Sequence, residues 1–195
     1  MVSHTTRAVR EQSRVLLLAS PTEIDQHGLC FDTLSTETPE QQHVLTIAYN
    51  RRPAAFVEGW REHNDALPAS MAIVCPESQA TPDESLPDGV HETHVAAGDL
   101  TGVGIAVSRY LDRWEDDEKP ITACLDSLTA LLQYTDTDRV FRFLHTIIGR
   151  FVAVGASAHV HLDPGTQDDQ TIATLSTLFD AVVQREGGEW MVTQG

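Results

Sequence analysis

The stretch Ile121-Thr122-Ala123-Cys124-Leu125-Asp126-Ser127-Leu128-Thr129-Ala130-Leu131 decides the reading of this chain. It opens with a short apolar run, as expected of a strand buried on both faces of a sheet, and Asp126 closes that run. Working outward, similar runs occur at Val15 to Ala19, Val44 to Tyr49, Met71 to Cys75 and, after Gly155, Ala156 to Leu162. Helical patterns lie between them. His27 to Ser35 is one, and Pro53 to Trp60 is another, with proline suited to a first turn. Asp99 to Trp114 places Leu100, Val103, Val107, Tyr110, Leu111 and Trp114 at three- and four-residue steps. Asp136 to Val152 does the same with Val140, Phe143, Leu144, Ile147, Ile148 and Phe151. A further helix is expected over Gln170 to Leu178, and Asp180 to Gln184 with Glu189 to Thr193 reads as a hairpin about Gly187-Gly188. The stretch from Glu77 to Gly89 reads as a surface loop. Strands alternating with helices predict a mostly parallel α/β sheet with helices on both faces and a C-terminal antiparallel hairpin.

Bulk properties narrow the function. At 195 residues and 41% hydrophobic content the chain can build one core without disulfides. Acidic side chains number 29 against 13 basic ones, a formal net charge of -16, which repels nucleic acid and anionic lipid. Lys119 is the sole lysine. This pattern looks like a salt-adapted surface, where screening shortens the range of carboxylate repulsion; the alternative is an ordinary acidic protein from a GC-rich genome. Cys30, Cys75 and Cys124 are far apart in sequence, form no C-x-x-C pair and read as small buried residues of a reducing cytoplasm. The N-terminus has no apolar signal core and no run reaches the span of a membrane helix, so a cytoplasmic location is expected.

Asp126-Ser127-Leu128-Thr129 after its apolar strand resembles the Walker B segment of RecA/KaiC-like P-loop ATPases. The surrounding order is similar too. Val15 to Ala19 takes the place of the strand before the P-loop, Val44 to Tyr49 the next strand, Gly155 to Leu162 the strand after Walker B, and the two terminal runs the family's hairpin. The likeness covers roughly residues 14 to 193 and points to short RecA-like proteins of halophilic archaea. It implies a RecA-like three-layer sandwich, with residues 1–13 as a flexible polar leader and 14–195 as one domain.

Two departures bear on activity. A Walker A loop, G-x-x-x-x-G-K-[ST], needs glycines for close approach to phosphate and a lysine to neutralise it. Here the place reads Ser20-Pro21-Thr22-Glu23-Ile24-Asp25-Gln26-His27-Gly28, with one late glycine and no lysine. Two like charges 4 Å apart repel by about 4 kcal/mol at an effective dielectric near 20, before screening, so Glu23 and Asp25 would oppose a triphosphate. After Tyr49, where the resemblance implies paired catalytic glutamates, the chain has Asn50-Arg51-Arg52. The expectation is a RecA/KaiC-like domain that has lost hydrolysis, carries no catalytic residue and needs no cofactor.

Each remaining candidate has two readings. Asp126, beside Ser127, would hold magnesium near a nucleotide or cap the helix that follows. His159, His161 and Asp163 alternate along a strand and share one face, which suits a divalent metal, or simply a polar strand end with one bonded histidine. Asp168 and Asp169 would join such a site or cap a helix. Neither Ser127 nor Ser157 sits in a G-x-S-x-G elbow. Gly102-Val103-Gly104 lacks the dinucleotide fingerprint and reads as tight packing in a helix. Arg139, Arg142 and Arg150 read as a solvated, acid-paired helix face, or else as a surface for a nucleotide or phosphoprotein partner, and Arg7, Arg10 and Arg14 as a docking tail or a disordered terminus. The expected role is regulatory or signalling, through a protein partner and as a homo- or hetero-oligomer. A metal-dependent enzyme, and nucleotide or DNA binding as in recombinases, are the alternatives.

Overall fold

A computed structural model describes residues 12–20, 26–49, 51–76, 86–186 and 189–194. In chain order the elements are β1 (Arg14–Leu18), α1 (Gln26–Leu34), β2 (His43–Ala48), α2 (Pro53–His63), β3 (Ser70–Pro76), β4 (Val90–Val95), α3 (Leu100–Trp114), β5 (Ile121–Asp126), α4 (Leu128–Leu131), α5 (Thr137–Ala153), β6 (Ser157–Leu162), α6 (Asp169–Ser176), β7 (Ala181–Glu186) and β8 (Glu189–Gln194). The strands form one eight-stranded sheet in the order β4-β3-β2-β5-β6-β1-β7-β8. All neighbours are parallel except β7 and β8. The expected α/β sandwich with its antiparallel hairpin is therefore what the chain forms.

Alternation along the buried strands divides the core between two faces. Leu45, Ile47, Ala123, Leu125 and Val160 pack against Val103, Val107 and Leu111 of α3 and Leu144, Ile147 and Ile148 of α5. Val44, Ala48, Met71, Ile73 and Cys124 point the other way, onto Cys30, Phe31 and Leu34 of α1 and Phe56, Val57 and Trp60 of α2. The long helices start where side chains satisfy their first N–H groups. Asp99 accepts from Gly102 N at 2.8 Å and Asp136 from Arg139 N at 2.9 Å. Helix α5 stops at Gly155, whose φ of +68° strains any residue with a β-carbon.

Two elements depart from expectation. Of the loop expected over Glu77 to Gly89, residues 77–85 lie outside the described residues, and directly after it Val90–Val95, for which the sequence shows no strand signal, pairs in parallel with β3 as an edge strand. In the Gly102-Val103-Gly104 stretch only Gly102 is crowded, because a β-carbon there would lie 2.4 Å from its own cap, Asp99 Oδ2; nothing lies within 4 Å of the same point at Gly104.

The reading of Arg14 as tail is corrected. Its Nε donates to Asp180 Oδ2 at 2.9 Å and its Nη2 to Oδ1, clamping the start of β1 to the approach to β7. Arg7 and Arg10 lie outside the described residues. The hydrogen bonds from Arg14 hold the Asp180 carboxyl below its ordinary value, although partial burial works the other way. A depressed carboxylate pKa adds stability above the unfolded-state value near 4, and that share is lost as pH falls through the folded-state value. Urea midpoints measured from about pH 5 to about pH 2 should therefore fall less steeply in Asp180→Asn than in the wild type. Equal slopes would contradict a clamp at this position.

Candidate site at the carboxyl edge of the sheet

Parallel α/β sheets place ligands at the carboxyl ends of their strands, and here β2, β5 and β6 end close together. Asp126 is the last residue of β5, in register with Ala48 of β2, and its carbonyl accepts from Tyr49 N at 2.7 Å. The Asp126–Ser127 peptide is cis. One carboxylate oxygen of Asp126 lies 3.2 Å from Arg51 Nη2, and the other lies 3.7 Å from His161 Nδ1. The Arg51 guanidinium also sits over Phe31 and Phe56, at 5.3 and 5.7 Å from the ring centroids. Both ion-pair side chains are only 13% exposed. An arginine from between β2 and α2 thus pairs with the carboxylate that ends β5.

The helix after β5 is capped by Ser127, which accepts from Ala130 N at 3.4 Å. This corrects the alternative in which Asp126 was the cap. Gly28, the one glycine near the P-loop position, lies inside α1, and a β-carbon there would make an ordinary 3.8 Å contact with His63. Ser20 follows β1, while Pro21, Thr22, Glu23 and Asp25 lie outside the described residues. Lys119 donates to both carboxylate oxygens of Asp117, at 2.9 and 2.7 Å, just before β5 begins. The chain's single lysine therefore stands at the amino end of the strand whose carboxyl end carries Asp126.

His159 and His161 face the same side of β6, as their spacing requires, with ring centroids 5.1 Å apart. Asp163 is not with them. Its carboxylate accepts from Gly165 N at 2.9 Å and caps a short 3-10 turn at Pro164–Thr166, while its own N–H donates to Thr129 Oγ1 at 2.8 Å. Asp168 caps α6 through Thr171 N at 2.7 Å, which holds its carboxyl below the ordinary value, and Asp169 begins that helix.

What joins the histidines instead is a pair of cysteines. Cys30 Sγ lies 3.2 Å from His159 Nε2 and 3.7 Å from Cys124 Sγ, and Cys124 Sγ lies 3.7 Å from His161 Nε2. Ligand-capable atoms of all four residues fall within 4.8 Å of one another, and each residue is buried. The contact with Cys124 holds the Cys30 thiol well below its ordinary value against the cost of burial, and the two imidazoles add to the effect. Burial pushes the Cys124 thiol up. The cysteines escaped the sequence reading because they are 94 residues apart and 129 separate Cys30 from His159. The available signal was parity: Cys124 and Asp126 share one face of β5, and Cys124 stands opposite His159 in the β5–β6 register.

Sheet order, layering and hairpin define a RecA-like α/β fold. The chain belongs to DUF7504, a family of unknown function, which matches residues 13–185. Among solved structures it is similar to the uncharacterized protein PH0321 from Pyrococcus horikoshii, solved in complex with an unknown peptide, with a TM-score of 0.59 and 12% identity over 94% of this chain and 93% of that one. It is also similar to PH0250 from Pyrococcus horikoshii OT3, with a TM-score of 0.57 and 8% identity over 94% of this chain and 86% of that one. A third likeness is to an ATPase from the type III secretion system of pathogenic bacteria, with a TM-score of 0.51 and 12% identity over 88% of this chain. The chain spans half the length of that ATPase. No curated protein matches the sequence. At these identities the likeness speaks for the fold alone. Among the described residues no helix is long and apolar enough to cross a membrane.

Proposed function

We propose that this chain is a degenerate relative of the P-loop ATPases that does not hydrolyse ATP and acts by binding another protein, in a regulatory or signalling role. The observation that carries this reading is the engagement of Asp126 by Arg51 at 3.2 Å. A Walker B carboxylate serves by orienting magnesium and its waters beside the phosphates, and an arginine already on that carboxylate competes with the cation. The only lysine is bound to Asp117 at the other end of β5, and the turn between β1 and α1 carries carboxylates and no glycine. Among the described residues, no lysine stands beside Asp126 to neutralise a triphosphate.

Support for a protein partner comes from the groove between α3 and α5, with a volume of about 690 Å³. Ile105, Phe143 and Ile147 give it an apolar floor, and Arg109, Arg139 and Arg142 stand along it. Ile105 is 50% exposed. A concentration of arginine on a chain of net charge -16 suits an acidic, amphipathic protein segment, which the rest of the surface would repel. PH0321, solved with an unknown peptide, is a protein of this fold in a peptide complex. The test is steady-state ATP hydrolysis with magnesium in dilute buffer and in molar potassium chloride. We expect no turnover above the buffer blank; turnover abolished by Asp126→Asn would overturn the proposal.

A further inference from the structure

We propose that Cys30, Cys124, His159 and His161 form a closed tetrahedral site for one structural Zn²⁺ ion, which ties helix α1 to strands β5 and β6. This site is independent of whether the chain hydrolyses ATP.

Geometry is the first argument. Zn–S bonds of about 2.3 Å and Zn–N bonds of about 2.0 Å at the tetrahedral angle set two sulfurs about 3.8 Å apart and a sulfur and a nitrogen about 3.5 Å apart. The observed separations are 3.7 Å between the sulfurs and 3.2 and 3.7 Å between sulfur and nitrogen. These three spacings match those around a tetrahedral ion, and the remaining ligand pairs lie within 4.8 Å of one another. They do not fit a disulfide, whose sulfurs stand about 2.05 Å apart.

Burial is the second. The four residues are between 0% and 2% exposed, so water does not satisfy their polar atoms. An ordinary core position here would be apolar, as its neighbours Val44, Phe56 and Met71 are. Two thiolates, two neutral imidazoles and Zn²⁺ sum to zero charge, which removes the cost of burying an unpaired ion. Cys75, also buried, provides the contrast: its sulfur lies 3.8 Å from the carbonyl of Ile73 on its own strand, outside the four-residue group.

The surroundings are the third. With Nε2 of His161 facing the sulfurs, its Nδ1 points to Asp126 Oδ1 at 3.7 Å, and Arg51 holds the other oxygen of that carboxylate. A carboxylate behind a histidine can fix ring orientation at a zinc site, and Asp126 stands in that place, though just beyond direct hydrogen-bond distance. Four protein ligands leave no open position, so the ion would be structural rather than catalytic. Its consequence is mechanical. Helix α1 follows the turn where P-loop proteins hold phosphate, and the metal would anchor that helix without a nucleotide.

The test uses the whole chain, produced in zinc-supplemented medium and purified under reducing conditions without chelator. Elemental analysis should find about one zinc per chain. Exchange with Co²⁺ should produce visible bands of tetrahedral cobalt and near-ultraviolet thiolate-to-metal absorption. Cys30→Ser and Cys124→Ser should bring zinc to background, and Cys75→Ser should retain it. Should the serine variants fail to fold, the wild-type cobalt spectrum still decides. The proposal is overturned by folded, reduced wild-type protein that holds no zinc and shows no thiolate–cobalt absorption, by Cys30 and Cys124 recovered as a disulfide, or by metal loss in Cys75→Ser alone.

Discussion

Arg51→Leu should cost about 3–5 kcal/mol of folding stability, the range seen when one partner of a buried ion pair is removed. The wild-type carboxylate of Asp126 is 13% exposed, with Arg51 at 3.2 Å as its cation. Without that guanidinium the carboxylate loses its nearest cation in a poorly solvated place. The double variant Arg51→Leu/Asp126→Asn should recover a large part of the loss, because no buried charge is left. Urea denaturation at constant high salt measures all three proteins. A loss below about 1 kcal/mol, typical of an exposed pair, would mean that Arg51 does not hold Asp126 in solution.

Trp60→Ala should be comparably costly, about 3–5 kcal/mol, as for other large aromatic truncations in cores. Trp60 is fully buried in the cluster with Phe56, Val57, Met71 and Ile73, and its indole N–H donates to the carbonyl of Ala66 at 2.8 Å. Truncation opens a cavity under α2 and leaves the Ala66 carbonyl without that donor. Since α2 carries Phe56, one of the two rings under Arg51, the damage should extend to the carboxyl edge of the sheet. Denaturant midpoints report the loss, and a cost under about 1.5 kcal/mol would place Trp60 outside the main core.

How much of this was legible in the sequence follows from burial. Strands β1, β2, β3, β5 and β6 are covered on both faces, so each shows a continuous apolar run that can be read without neighbours. Helices α3 and α5 display a single apolar stripe and a capping aspartate. Strand β4 was missed because it is an edge strand: Val-His-Glu-Thr-His-Val is largely half-exposed and takes its conformation from β3, not from a run of its own. Helix α4, at four residues, is too short for a periodic signal. At the site, strand alternation showed that His159 and His161 share a face. It could not show that Asp163 turns away to cap its own loop, nor that Cys30 arrives from a helix on the far side of a crossover. Arg51 was visible as a missing glutamate; its role as the cation on Asp126 emerges only when the ends of β2 and β5 lie side by side.

With the chain's own Arg51 on Asp126, the carboxyl edge of this sheet should not hold a triphosphate. Calorimetric titration of magnesium–ATP into the folded chain in molar potassium chloride tests that most directly. Heats of dilution alone are expected. Saturable one-to-one binding that disappears in Asp126→Asn would contradict it.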